Sequence, residues 1–135
     1  MNEALRAART WVLEVAAELG TTDEEYAHRV LRAWLHTLRD RLTVEAAAEF
    51  AAPLPDLIRG EFYAGWDPAA VPVNRDAKSA TVRFARTAGI CVQEAGAATA
   101  LTTAALMRLL PAAQVDTAAA QLPAGARRMP RSDVA

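Results

Sequence analysis

Apolar residues recur at helical spacing along most of this 135-residue chain, in runs separated by glycine, proline and cap-forming residues. Leu5, Ala8, Val12, Val15 and Leu19 fall on one stripe and predict a helix over about 2–19, stopped at Gly20. Thr22 stands three residues before Glu25, the spacing of a capping box, and predicts the start of a second helix over 23–42. Ala27, Val30, Leu31, Trp34, Leu38 and Leu42 cover its inner face, with Trp34 at the centre. Thr43 predicts the cap of a third helix that ends at Pro53 and buries Val44, Ala47, Phe50 and Ala51. Pro55 suits the first turn of a short fourth helix, about 56–64, closed by Gly65. Residues 67–74 hold two prolines and no helical period, which makes them a linker. A fifth helix is expected over about 75–88, burying Ala77, Ala80, Thr81, Phe84 and Ala88 and ending at Gly89. A sixth is expected over 92–110, and a short seventh over 112–121, each stopped by a proline.

The pattern repeats. A shift of 68 residues lays Leu38 on Leu106, Leu42 on Leu110 and Leu54-Pro55 on Leu122-Pro123. The fold class predicted is therefore all-α: a bundle of about seven helices built from two related repeats, about 2–66 and 75–123, in one domain over 1–123. Residues 124–135, rich in Gly, Pro and Arg, are expected to be a disordered tail.

The stretch from Ala51 to Pro68, with its Leu54-Pro55, its short helix and its Tyr63-Ala64-Gly65-Trp66 turn, resembles the family catalogued as domain of unknown function 2267. A weaker second block runs from Ala105 to Leu110 and on to Leu122-Pro123, without an aromatic residue after the Leu-Pro. The resemblance covers about residues 4–128. It implies a soluble bacterial helical bundle, and it brings no catalytic residue with it.

Composition sharpens this reading. Alanine makes up roughly a quarter of the chain, far above average usage, which favours helix throughout. At 53% hydrophobic and 23% charged, the chain is too apolar to be intrinsically disordered. The net charge of -1 hides an asymmetry: residues 1–68 carry seven Arg against twelve acids, and residues 69–135 carry eight cations against four. There is no global charge case for nucleic acid, so that partner is disfavoured without being excluded. The N-terminal segment has neither a cationic nor an apolar leader region, and no run approaches a membrane span. With Cys91 as the lone cysteine, a cytoplasmic protein without disulfide, cofactor or membrane partner is expected.

Candidate chemistry is thin. His28 and His36 lie two turns apart on one helix, roughly 12 Å of rise, too far to share a metal ion. Glu24 and Asp40, one turn beyond each, are their expected partners. Cys91 reads as a small buried filler at the head of the sixth helix. No nucleophile–base pair, phosphate-binding loop or metal motif is present, so neither catalytic nor metal-ligating residues are expected and the chain reads as a non-enzyme.

Three surfaces remain as binding candidates. Trp34, Tyr63 and Trp66, with Arg59 or Glu61 at the mouth, would line an apolar or amphipathic ligand site between the repeats. Opposed to that, Trp66 would plug the bundle and give its indole N–H to a backbone carbonyl. Arg75, Lys78, Arg83 and Arg86 form a cationic stripe on the fifth helix that would take an anionic partner. The sixth helix is apolar on more than one side, which makes it either central or shared. The leading expectation is a protein-interaction module that self-associates through Leu101, Ala105 and Leu109 of that helix, as a homo-oligomer.

Overall fold

In the computed structural model, residues 2–73 and 76–122 are described, and they form an all-α bundle of seven helices without a strand. The helices are α1 (Asn2–Leu19), α2 (Glu24–Asp40), α3 (Val44–Ala51), α4 (Asp56–Tyr63), α5 (Ala77–Ala88), α6 (Val92–Leu109) and α7 (Ala112–Gln121). The punctuation behaves as its chemistry demands. Gly20, Gly65 and Gly89 all take φ of 72°, the left-handed region that ends a helix cheaply only in glycine. Thr43 caps α3 by accepting from the Ala46 N–H at 3.1 Å.

Two helix starts differ from expectation. Asp23, not Thr22, caps α2, accepting from the Tyr26 N–H, while the Thr21 hydroxyl accepts from the Asp23 N–H. A carboxylate is the stronger acceptor for an orphan amide at the positive end of the helix dipole. Likewise Asp76 caps α5 through the Ser79 N–H at 2.7 Å, so that helix starts at Ala77. Burial corrects the apolar faces of three helices. On α1 the inward residues are Trp11, Val15 and Ala16, while Leu5 is 54% exposed. Val44 of α3 faces solvent, and on α5 Ala85 is buried where Ala77 is exposed. The face expected for α2 is buried as a whole.

α2 and α6 are the two central helices. α1 packs on α6, α2 and α4; α5 packs on α2 and α6; α2 also meets α6 and α4. If α1 is equivalent to α5 and α2 to α6, the α1–α6 and α2–α5 contacts exchange, an arrangement compatible with two related repeats. α4 has no counterpart among the described residues. One apolar cluster runs from Trp11 to Leu122 and draws on both halves of the chain.

The second half completes this core with small side chains. α6 buries Ala95, Ala98, Ala100 and Ala105 along with Thr99, Thr102 and Thr103. Two of the threonines solve their polar problem within the helix: Thr99 donates to Ala95 O and Thr103 to Thr99 O, both at 2.8 Å. The Thr103 oxygen also accepts the indole N–H of Trp34 at 2.9 Å, which ties α2 to α6 at the centre of the bundle. Trp34 is 1% exposed. Among the described residues no single helix is long and apolar enough to cross a membrane.

Candidate functional site

The α6 surface expected to meet a partner is largely used inside the chain. Ala105 is fully buried, and Leu109 packs partly against the core. Of the three residues expected there, Leu101 and Leu109 keep partial exposure, as do Ala104 and Met107 of the same helix. The apolar residues on several sides of α6 are explained by its central place, with α1, α2 and α5 around it. At its head Cys91 is exposed rather than buried, because it occupies the N-cap, and its N–H donates to Glu94 Oε1 at 3.3 Å.

The aromatic residues behave as packing rather than as pocket walls. Phe50 stacks on Phe62 with centroids 5.5 Å apart, Phe62 meets Tyr63 edge-on, and Tyr63 tilts against Trp66 at 5.1 Å. The row leads from the buried core to half-buried Tyr63 and Trp66. Contrary to expectation, the Trp66 indole nitrogen is buried and bonds to no acceptor among the described residues. Arg59 does not stand at a mouth. Its guanidinium donates to Ala51 O, Ala52 O and Leu54 O and pairs with Asp56, closing the carbonyl end of α3.

An open groove lies elsewhere, between α1, α2 and α4, with a volume of about 500 Å³. Ala8 and Val12 of α1 and Leu57 and Ile58 of α4 give it an apolar floor; Leu57 is 43% exposed. Its rim is charged. Arg9 of α1 makes a two-pronged pair with Glu24 of α2, at 3.2 and 2.9 Å, and Glu25 stands beside it. The Glu24 carboxyl is held below its ordinary value chiefly by that hydrogen bond. On the other wall, Glu61 of α4 accepts from His28 at 3.0 Å and from Arg32 at 2.8 Å. Burial alone would raise the Glu61 carboxyl, but Arg32 and His28 outweigh it and the net shift is downward.

Both histidines thus pair across elements, not along their own helix. His36 bonds to the backbone oxygen of Glu61 at 2.7 Å; a carbonyl only accepts, so Nε2 carries the proton. Burial is the main cause that lowers the His36 pKa below the usual imidazole value; the Glu61 carbonyl and Asp40 oppose it, and Arg39 and Arg32 reinforce it. Arg39 itself, 3% exposed, donates to Phe62 O and Ala64 O and pairs with Asp40 at 2.8 Å. It closes the carbonyl end of α4 and so fixes one wall of the groove.

A second, shallower concavity of about 320 Å³ lies on α5, where Lys78, Arg83 and Arg86 gather around Ser79 and Val82. Three of the four cations expected there are brought together; Arg75 lies outside the described residues. Arg83 also leans toward Asp40 at 3.8 Å. Among the described residues no group of three or more His, Cys, Asp or Glu could hold a metal ion.

The family model described as "Uncharacterized conserved protein (DUF2267)" matches residues 8–129. The chain belongs to the DUF2267 family. That span takes in both walls of the groove and the α5 face. No curated protein matches the chain.

Proposed function

We propose that this DUF2267 chain is a non-catalytic protein-interaction module that associates with copies of itself and docks through the groove between α1, α2 and α4. The observation that carries this reading is the groove's apolar floor, where Leu57 is 43% exposed and Ala8 and Val12 are half-exposed over the buried Ile58. Burying such a patch against a partner gains roughly 25 cal/mol for each Å² of apolar surface. Ala105 of the expected α6 contact is buried within the chain, and Leu57 of the groove is more exposed than the half-buried Leu101 and Leu109, which favours the groove as the docking surface. A non-catalytic reading is supported by the Glu61 carboxylate being engaged by both His28 and Arg32, as in a structural ion pair. The exposed thiol of Cys91 suits a reducing compartment, and we place the module in the cytoplasm.

Sedimentation velocity over a wide range of concentrations tests the reading. The average mass should rise above the 14.5 kDa of one chain, and Leu57→Arg should hold the protein at that mass. A monomer at every concentration removes the proposal.

A further inference from the structure

We infer that the groove of one copy receives helix α5 of the next, so that copies join head to tail. The inference rests on the self-association proposed above and names the surface that meets the groove. Lys78, Val82 and Arg86 are spaced four residues apart on α5, so they form one outward stripe about 12 Å long. Val82, 36% exposed, sits at its centre with a cation one turn to either side. The helix Ala77–Ala88 carries no acid to neutralise them. The groove has the reverse pattern, with an apolar floor and three carboxylates at its rim: Glu24 is paired with Arg9 and Glu61 with Arg32, while Glu25 has no ion pair among the described residues. Val82 on Leu57 and Val12 would bury apolar surface at the centre, while the flexible stems of Lys78 and Arg86 carry charge out to the rim. Complementary charge of this kind favours the correct pairing and disfavours groove against groove, which would set acid against acid.

The two surfaces share no residue, so the contact is heterologous: it builds a ring if the rotation closes and an open chain if it does not. Two variants at exposed positions test this. Leu57→Arg puts a cation into the groove, and Val82→Glu puts an acid at the centre of the stripe. Each should weaken self-association by about tenfold or more while leaving the helical circular dichroism unchanged. An equimolar mixture should form a one-to-one dimer, because each variant supplies the surface the other lacks. A mixture that stays monomeric overturns the inference, as does a Val82→Glu protein that assembles like the wild type. If the wild type assembles but the mixture does not, only the head-to-tail contact falls. If the wild type is monomeric throughout, self-association falls with it.

Discussion

At the scale of single residues, polar groups that reach across elements add to the apolar core of the bundle. Trp34 shows both contributions at once, a large buried ring and an indole N–H given to Thr103. Trp34→Ala should cost about 3–5 kcal/mol in chemical denaturation, the range for a buried aromatic. Thr103→Val, which keeps the volume but removes the acceptor, should cost about 1–3 kcal/mol for the stranded N–H. A loss below about 1 kcal/mol in the first case would show that the site collapses around the deletion. The centrality of Trp34 was legible from periodicity. Its partner was not, since Thr103 is 69 residues away and reads as a weak helix former.

His36 sets a pH dependence whose sign follows from its burial. Its folded pKa lies below the ordinary imidazole value, so the unfolded chain takes up a proton that the folded chain refuses. Stability should therefore fall as pH drops below about 6.5, by no more than about 1.4 kcal/mol per pH unit for this one group. His36→Gln, which keeps an N–H donor toward Glu61 O, should flatten that slope in thermal melts taken between about pH 5 and 7. An unchanged slope would assign the effect to another group. The depressed Glu61 carboxyl acts in a separate window, losing its contribution as pH falls below its ordinary value of 4.5.

At the scale of elements, glycine and proline marked helix ends well, because they act through local backbone chemistry that needs no tertiary partner. Gly89→Ala should cost about 1–2 kcal/mol, since φ of 72° strains any side chain; the new Cβ would meet only Arg29 Nε at an ordinary 3.5 Å. Gly96→Ala is the control. It lies inside α6 with open space around it, and should stabilise the protein by about 0.5–1 kcal/mol. Equal effects at the two sites in denaturant melts would contradict this account of the helix ends. Apolar phase was less legible. On α1 the stripe through Leu5 competes with one through Trp11, and only packing against α6 selects the latter. The arginines were missed for the same reason. Arg29 donates to Ala88 O, Arg39 to Phe62 O and Ala64 O, and Arg59 to the end of α3, yet nothing along the chain pairs them with those carbonyls.

For the whole molecule, the split between an acidic first half and a cationic second half was plain in the sequence; in the fold Lys78, Arg83 and Arg86 gather on α5, while Arg108 also pairs with Glu14 and Glu18, and Arg83 with Asp40, of the first half. The groove was not legible, because Ala8, His28 and Leu57 sit on three helices and share no local pattern. The sequence pointed to α6 because its apolar residues exceed one stripe; in the structure three neighbouring helices bury Ala95, Ala98, Ala105 and Leu106, and Leu101, Met107 and Leu109 stay half-exposed. The central claim, that copies meet through the groove rather than through α6, is most directly tested by following backbone amide NMR shifts as the protein is diluted. Shifts should move at residues 8–12, 57–61 and 78–86 and stay fixed around Leu101 and Leu109. Movement confined to the exposed side of α6, with the groove unchanged, would contradict the account.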